Sequence, residues 1–348
     1  MNKVFCLGVM LTPIIHREQT TLKALKNKSF AVDGNIELHQ FLALIRKHDG
    51  SLFTDNQGHV TSHLIGLLTR TARLVGEYGM TLIFVFDGRF HPLKRATMEE
   101  RRRAREKAEA EYASAIKRGD AASAWAKAVM TGRVTGDVLQ DAKRLLTLMG
   151  IPWLDAPEDA EAQASQIASK GEVWAVGGKD YDSLLYGAPI LVRYLTITGT
   201  EYLPSQRRTR KLLPEIINLR ENLQILGITR EQLVDLAILI GTDFDPGIKG
   251  IGPKKALALV RKYGRMEQIP QEIREKLPGN FDEIREVFLR PNTVQDYKLI
   301  FSKPDIDGLV KFLVEERGFN KERVEHAATH LLESYHKHSD TKLGAWLA

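Results

Sequence analysis

The chain contains a single cysteine, Cys6, among 348 residues. An internal disulfide is therefore excluded, and such sparse cysteine favours a reducing, intracellular compartment. No apolar run approaches the roughly 18 residues that a membrane-spanning helix needs, so we expect no membrane partner. The mostly apolar residues 1–11 lack a small-residue cleavage site, and we interpret them as a strand or turn rather than a signal peptide.

Charge is nearly balanced, with a modest basic excess. Lys and Arg number 50 against 44 Asp and Glu, which gives a formal net charge of +6 and weakly favours a polyanionic partner. The length allows one large domain with insertions, or two domains. A basic excess of this size suits a protein that contacts phosphate groups.

Acidic residues follow three apolar, strand-like segments, at residues 30–32, 83–86 and 173–176. In an open α/β sheet, ligands bind in the crevice outside the carboxyl ends of the strands. Several carboxylates in one crevice repel one another unless cations lie between them, which makes divalent metal ions the first hypothesis. The aspartates concerned are Asp33, Asp87, Asp180 and Asp182.

Strand and helix patterns alternate along the chain, which favours an α/β fold with a mainly parallel central sheet covered by helices. From about residue 213 the pattern turns mainly helical. An amphipathic helix capped by Thr229 is predicted to end at Gly241, and a glycine-rich turn then leads to a helix ending near Lys262. The predicted helices are 35–46, 60–78, 138–149 and 229–240, and the predicted strands are 80–86, 151–154, 190–195 and 201–203.

An insertion interrupts this alternation: residues 94–107 are strongly basic and residues 108–129 are rich in alanine. Both stretches favour helix but lack a wide apolar stripe, and Gly119 with Asp120 is expected to separate two helices. A solvated helical hairpin is one interpretation. We favour a phosphate-facing role, because Lys94, Arg101 and Arg105 share one helix face.

Seven carboxylates are candidate metal ligands. Asp180 and Asp182 would share a face in extended backbone, and Asp159 and Glu161 would converge near the start of a helix opened by Pro157. Two Mg²⁺ ions held there would activate a water and stabilise the leaving oxygen of a phosphodiester. The set is Asp33, Asp87, Asp159, Glu161, Asp180, Asp182 and Asp243.

Each acid also has a structural interpretation. Asp33 and Asp87 precede glycine and suit turns, Asp159 suits a helix N-terminus, and Asp243 suits a loop. Phosphatases and transferases also use Asp-x-Asp pairs, so the joint pattern carries more weight than any one residue.

That joint pattern resembles the flap endonucleases, structure-specific 5′ nucleases of DNA replication and repair, and most of all the archaeal ones. The resemblance runs from about Gly8 to the C-terminus. It rests on these segments: Ala31-Val32-Asp33, Thr61-Ser62-His63-Leu64, Val85-Phe86-Asp87-Gly88, Leu148-Met149-Gly150-Ile151-Pro152, Asp180-Tyr181-Asp182-Ser183-Leu184-Leu185, Gly250-Ile251-Gly252-Pro253-Lys254-Lys255 and, more loosely, Tyr194-Leu195-Thr196-Ile197-Thr198.

The resemblance implies a fold and a set of roles. The fold is the PIN-like 5′ nuclease fold, with a helical arch at about 90–134 that passes the single-stranded flap, and a helix–two-turn–helix element at about 229–263 that binds a DNA strand and K⁺. All seven acids become metal ligands, and Mn²⁺ is expected to substitute for Mg²⁺. The residues expected in catalysis are Lys94 and Arg101, on the scissile phosphate, with Asp33, Asp87 and Asp182. The expected DNA contacts are His39, Arg46, Arg70, Arg105, Gly250, Gly252, Lys254 and Lys255.

The resemblance also implies a domain organisation. Residues 1–338 form one nuclease domain, with parts 1–89, 90–134, 135–212 and 213–338. Residues 339–348 form a tail whose Leu343, Trp346 and Leu347 bind the sliding clamp, PCNA. A terminal turn packed on the protein's own surface is the alternative for the tail.

Four departures from the family pattern stand out. The family usually has Glu where Asp159 stands, and commonly Tyr where His39 stands, so the charge on the stacking residue is expected to vary near neutral pH. Asp340 replaces the usual Gln of the clamp motif. Residues 1–7 are extra, which leaves two interpretations: an extension that crowds substrate, or a start codon placed too early.

The expected activity is metal-dependent removal of 5′ flaps during replication and repair, with 5′-3′ exonuclease activity, by a monomer in the cytoplasm of an archaeal cell, at the nucleoid. A junction or bubble nuclease of the same superfamily is an alternative. A non-catalytic, clamp-associated DNA-binding protein is another, and an RNA-cleaving relative is less favoured because such domains lack the arch.

Overall fold

The architecture is known from a computed structural model, and the structure describes residues 8–196, 199–203 and 208–339. One seven-stranded sheet has the order β1-β9-β6-β5-β2-β3-β4, and β7 and β8 form a separate hairpin. Strands β4, β3, β2, β5 and β6 are parallel, while β9 and β1 pair antiparallel at the other edge. The strands are β1 Glu18–Gln19, β2 Ser29–Asp33, β3 Thr81–Phe86, β4 Trp153–Asp155, β5 Ala175–Gly178, β6 Ile190–Arg193, β7 Gly199–Leu203, β8 Arg208–Leu212 and β9 Glu215–Asn218.

Helices cover both faces of this sheet, and the chain becomes mainly helical after β9. In the described residues, no helix is long and apolar enough to span a bilayer. The helices are α1 Gly34–Leu44, α2 Ser62–Gly76, α3 Arg95–Lys117, α4 Ala121–Ala128, α5 Gly136–Leu148, α6 Ala160–Ser169, α7 Asp182–Leu185, α8 Leu219–Leu226, α9 Arg230–Ile240, α10 Pro253–Tyr263, α11 Gln271–Arg274, α12 Phe281–Leu289, α13 Ile306–Leu309 and α14 Lys321–Ser339. Short 3₁₀ turns occupy Pro92–Lys94 and Met266–Gln268, and a π-helix occupies Val310–Glu316.

The side-chain alternation of the central strands separates two hydrophobic cores. On β2, Phe30 and Val32 pack with helices on one face, while Ala31 belongs to the core on the other face, where α6 packs against the strand. Both faces are therefore buried, which explains why these strands read as continuous apolar runs. The prediction of a mainly parallel sheet flanked by helices is confirmed.

Three local predictions are wrong. The chain is not yet mainly helical at 213, because β9 follows and completes the sheet. Pro157 does not open a helix; α6 begins at Ala160, after Asp159 in extended backbone. Helix α9 is not amphipathic, since every residue from Leu233 to Ile240 is buried among α7, α10 and α12. Its Thr229 cap is confirmed, with a full capping box.

The topology sets the place of the site. Strands β5, β2, β3 and β4 are neighbours and parallel, so their carboxyl ends meet at one edge of the sheet. The chain leaves this edge through acidic residues, and the connection from β3 carries the long α3–α4 helical hairpin above it.

Candidate active site

Asp33 and Asp87 are held by helix starts. Asp33 ends β2 and caps α1, accepting a hydrogen bond at Oδ1 from the Ile36 amide at 2.9 Å. Asp87 follows β3, and its Oδ1 accepts from the amide of Ala160, the first residue of α6, at 2.9 Å. Amide donors at a helix start favour a negative charge, so both carboxylates are oriented by the backbone.

Asp159 and Glu161 lie at the beginning of α6. Asp159 is the cap residue, and its Oδ2 accepts from the hydroxyl of Tyr186 at 2.8 Å. Glu161 lies in the first turn and accepts at Oε1 from the Ser183 hydroxyl at 3.0 Å. The predicted convergence of these two acids near the start of a helix is therefore present, although the helix starts later than predicted.

Asp180 and Asp182 converge for a different reason from the one predicted. They do not share an extended strand, because Asp182 is the first residue of α7. Asp182 Oδ1 accepts from the Val9 amide at 2.7 Å, and Asp243 Oδ1 accepts from the Gly8 amide at 3.3 Å. Asp243 lies just past the end of α9. The consecutive amides of Gly8 and Val9 therefore hold Asp243 and Asp182 close to each other.

All seven acids line one cleft of about 1460 Å³ beneath the α3–α4 hairpin. Lys94, Arg101, Arg105 and His39 line it as well, together with Lys179, Tyr186 and Phe244. The shared cleft is the property that the sequence pattern predicted from residues up to 210 positions apart.

The carboxylates fit divalent cations. Six of them use one oxygen for the hydrogen bonds above, which leaves the second oxygen of each for another partner. Within residues 8–196, 199–203 and 208–339, no three Asp, Glu, His or Cys side chains close on one point as a ready coordination sphere. The acids surround the cleft instead, and this suits Mg²⁺, which keeps several waters and takes few protein ligands.

Crowding and burial disfavour the charged forms of these acids. Burial raises the pKa of Asp180 to about 7, against the opposing charge of Lys179. Asp87 faces the cleft but is enclosed by its walls, and that enclosure with the charge of Asp159 raises its pKa to about 6. Burial first, and neighbouring carboxylates second, raise the pKa well above the ordinary value in Asp33, Glu161 and Asp182. Cations in the cleft would relieve this repulsion.

Comparison with known proteins decides the family. Residues 6–108 match the XPG N-terminal domain and residues 150–243 match the XPG I-region. The flap endonuclease 1 of Staphylothermus marinus is 44% identical over 351 residues, covering 98% of this chain and 100% of the relative. The chain belongs to the flap endonuclease family.

Solved structures agree with this membership. The flap endonuclease-1 from Methanococcus jannaschii superposes with a TM-score of 0.75 at 39% identity, covering 95% of this chain and 99% of that one. The catalytic core of Rad2 in complex with DNA substrate has a TM-score of 0.67 at 24% identity, covering 92% and 97%, and supports the fold alone. The predicted family and nuclease fold are confirmed.

Two cations in this flap endonuclease reach the acids from the base of the hairpin. The Lys94 ammonium donates to Asp159 Oδ2, and the Arg101 guanidinium donates to Asp243 Oδ1. Burial alone would lower the pKa of Lys94, but the carboxylates, Asp159 foremost, outweigh it and raise that pKa. Lys94 therefore stays charged, and it also lies 5.2 Å from the ring centroid of Phe244.

His39 corrects the expectation of a charge that varies near neutral pH. It is half-buried at the cleft wall, and burial, followed by the charges of Arg105 and Arg101, lowers its pKa to about 4. The imidazole is thus neutral across the neutral range. A neutral ring remains suited to stacking.

Other predicted DNA contacts do not line the cleft. Arg46 is 9% exposed, and its guanidinium donates to the Gly50 carbonyl at 2.8 Å. Arg70 lies on α2, near enough to Glu37 for their charges to interact. Gly250, Gly252, Lys254 and Lys255 lie on the α9–α10 connection and the start of α10, outside the cleft lining. Leu343, Trp346, Leu347, Asp340 and residues 1–7 lie outside the described residues.

Sequence reasoning missed three participants in the site. Tyr186 hydrogen bonds Asp159, the Val9 amide holds Asp182, and Phe244 forms part of the wall. The only available signal was position: Tyr186 is four residues past Asp182, and Phe244 is next to Asp243. The Val9 contact had none, because a backbone amide carries no residue-type signature.

Proposed function

We propose that this chain is a divalent-metal-dependent, structure-specific endonuclease that removes 5′ flaps from DNA during replication, in the maturation of Okazaki fragments, and during repair. We also assign it 5′-3′ exonuclease activity. The observation that carries the proposal is the single cleft in which seven carboxylates face Lys94 and Arg101. Family membership supports the same substrate, since the relatives are named flap endonuclease 1.

The metal assignment rests on the carboxylates' free oxygens. Two Mg²⁺ ions, with Mn²⁺ as a substitute, would be held by some or all of Asp33, Asp87, Asp159, Glu161, Asp180, Asp182 and Asp243. When bound, these ions supply a readily ionised water and positive charge for the leaving oxygen. The protein's part is to hold the carboxylates in place, through backbone amides for four of them and through hydroxyl groups for Asp159 and Glu161.

Lys94 and Arg101 supply fixed positive charge where phosphate would enter. Lys94 immediately precedes α3 and Arg101 lies on it, and both contact the acids, so a scissile phosphate drawn into the cleft would lie close to their charges. Charge that is already in place needs no reorganisation as the transition state forms, which is why such groups accelerate phosphoryl chemistry. Their present carboxylate partners keep them extended toward the cleft.

The substrate path is proposed from the elements around the cleft. The α3–α4 hairpin within residues 90–134 serves as the arch for the single-stranded flap, with Arg105 on its inner side. The neutral His39 stacks on a base at the cleft wall. The helix–two-turn–helix at residues 229–263 binds duplex through the backbone at Gly250 and Gly252, with Lys254 and Lys255 adding charge and K⁺ bound there. Arg46 and Arg70 stay assigned to the duplex.

The whole chain is proposed to act as a monomer at the nucleoid, in the cytoplasm. Residues 1–338 form the nuclease domain, and the tail at 339–348 binds the sliding clamp PCNA through Leu343, Trp346 and Leu347. The spacing of these three residues, i, i+3 and i+4, supports a small apolar plug on one helical face.

A substrate panel tests the proposal. The full chain is incubated with a 5′-labelled double-flap DNA, a four-way junction and a single-stranded RNA, each with Mg²⁺. We expect incision of the flap alone. Preferential resolution of the junction would replace the proposed substrate with the junction alternative, and tight flap binding without incision would support the non-catalytic one.

A further inference from the structure

The Tyr186 side chain is buried against the metal-ligand cluster. Its hydroxyl donates to Asp159 Oδ2 at 2.8 Å, and the residue is only 6% exposed. Its ring packs on Phe288 with centroids 5.0 Å apart, and Phe288 in turn contacts Phe244 at 5.3 Å. The packed aromatic cluster therefore fixes the position of the ring and, with it, of the hydroxyl.

Asp159 depends on hydrogen-bond donors to orient its carboxylate. Its carboxylate is one methylene shorter than the glutamate expected at this position, and it cannot advance by sliding α6, because the first amide of that helix is bonded to Asp87. The orientation of the short side chain must come from groups that donate to it. Two do so, Lys94 and Tyr186, and both reach Oδ2.

The two donors differ in whether they keep their hydrogen bond to Asp159 when DNA binds. Lys94 lies at the base of the α3–α4 hairpin, where the proposed function gives it a DNA phosphate as a second partner. Tyr186 borders the cleft but is only 6% exposed, and its ring packs on Phe288, so its hydroxyl stays directed at Asp159. A tyrosine hydroxyl is a hydrogen-bond donor, and this one needs no DNA phosphate as a second partner.

We infer that Tyr186 is a positioning residue for metal binding, whose hydroxyl holds Oδ2 of Asp159 and thereby leaves Oδ1 to receive a divalent cation. The inference rests on the proposed function for its metal, and it concerns the chain's own adaptation to a short carboxylate. Partners of this kind commonly change metal affinity by about 10–100-fold.

A double-mutant cycle on metal binding tests this. Mn²⁺ affinity of the full chain is measured without DNA, by calorimetry, for the wild type, Tyr186→Phe, Asp159→Glu and the double variant. We expect Tyr186→Phe to weaken Mn²⁺ binding about tenfold in the Asp159 chain. In the Asp159→Glu chain, whose longer carboxylate no longer depends on that hydroxyl, the same change should cost less than about twofold.

Tyr335→Phe is the matched control, because Tyr335 lies on α14 with its ring against His336 and does not line the cleft. It should leave Mn²⁺ affinity unchanged. Equal losses from Tyr186→Phe in both chains would mean that the tyrosine only supports packing, and no loss in the Asp159 chain would mean that Lys94 suffices; either result overturns the inference.

Cleavage gives a separate readout. In Tyr186→Phe, the Mg²⁺ concentration for half-maximal flap cleavage should rise about tenfold while the rate at saturating Mg²⁺ changes little. A wild-type chain that cleaves no flap would refute the proposed function, yet the Mn²⁺ cycle would still decide the role of Tyr186.

Discussion

Asp33 and Asp87 perform two tasks with one side chain. The sequence offered a turn or a metal ligand as alternatives for each, but in the structure one oxygen fixes a helix start while the residue still lines the cleft. Such carboxylates are positioned without any additional side chain. If one of these two acids is mutated, a fall in cleavage could come from the lost metal ligand or from the altered helix start, and the activity measurement alone would not separate the two.

Asp182 offers a cleaner test at the residue scale. Asp182→Asn removes a ligand charge but keeps an oxygen to accept from the Val9 amide. We expect flap cleavage to fall by more than about a hundredfold, beyond the usual effect of changing a ligand's partner, while flap-DNA affinity changes little. Because burial and Asp243 raise the pKa of Asp182, the thermal midpoint should hold or rise.

Asp155→Asn is the control for that variant. Asp155 ends β4 and pairs with Lys143 at 2.6 Å, outside the cleft lining. It should cleave like the wild type. Simultaneous loss of binding and cleavage in Asp182→Asn would instead assign Asp182 a structural role.

Glu37 predicts a pH dependence of stability. It is 3% exposed on α1 and accepts from the Thr196 hydroxyl, and burial raises its pKa from 4.5 to about 7. The folded state therefore binds more protons than the unfolded state between these values, so the free energy of unfolding falls as the pH rises through this window. Above pH 7 the buried Glu37 is ionised, and the full free-energy cost of that buried charge lowers stability. Below pH 4.5 the carboxyl is protonated in both states, and this cost is absent.

Glu37→Gln removes this cost. Relative to the wild type, the variant should gain about 1–3 kcal/mol of unfolding free energy between pH 4.5 and pH 8, measured by denaturant unfolding at both values. Glu99→Gln, on the exposed side of α3, should gain nothing. An equal difference from wild type at both pH values would mean that folding does not raise the pKa of Glu37.

Prediction from sequence was most successful where a residue type carries its own chemistry. Six of the acids lie in one cleft because strand ends in a parallel sheet share an edge, and Asp243 joins them from the end of α9. Asp180 and Asp182 lie in the cleft as predicted, but Asp182 is helical and not extended, because a four-residue helix such as α7 is too short to show a period in the sequence. The charge of His39 depends on its burial and on Arg105, neither of which a linear sequence displays.

At the scale of elements, α3 presents its cations unequally. Lys94, which caps α3, and Arg101 on it reach the acids, whereas Lys107 lies farther along the helix, exposed and outside the cleft lining. We expect Lys94→Ala to lower the turnover number about a hundredfold with a smaller change in flap affinity. Lys107→Ala should leave turnover intact. Equal falls in turnover and affinity for Lys94→Ala would make it an ordinary phosphate contact.

The α9–α10 connection predicts a different outcome for two glycines. Gly250 has a φ of +88°, so a side chain there is strained, whereas a Cβ on Gly252, at φ −103°, meets nothing within 4 Å in the described residues. Gly252→Ala should therefore fold normally. If a DNA phosphate approaches this backbone, Gly252→Ala should weaken duplex binding about fivefold, which corresponds to the free energy of one lost hydrogen bond.

Gly279→Ala is the control for that experiment, since a Cβ there is equally unobstructed. Both variants are compared by thermal unfolding and by duplex binding. Unchanged duplex affinity in Gly252→Ala would move the DNA contact away from this turn.

Element boundaries were predicted within a few residues where periodicity was long, as in α2 and α5. Strand β9 was missed because four residues carry no reliable alternation and its antiparallel partner β6 lies more than 20 positions away. The misjudged α9 has a physical reason too: a helix buried on all sides loses the polar stripe that marks amphipathicity.

At the scale of the whole molecule, the acids of the site are gathered in one place of a chain that is basic overall. A chain of net charge +6 concentrates seven acids in one cleft, with Lys94 and Arg101 at its rim. The positive net charge favours binding of a polyanion such as DNA. The acids would hold the metal ions that promote cleavage of its phosphodiester bonds. The sheet contributes to this arrangement because the loops that carry six of the acids leave the same edge, and Asp243 joins them from the end of α9.

The most direct test is incision mapping on a 5′-labelled double-flap DNA, with Mg²⁺ and with EDTA. The account predicts a single product cut at the base of the flap in Mg²⁺ and intact substrate in EDTA. Incision that persists in EDTA, or cuts scattered along the single strand, would contradict it.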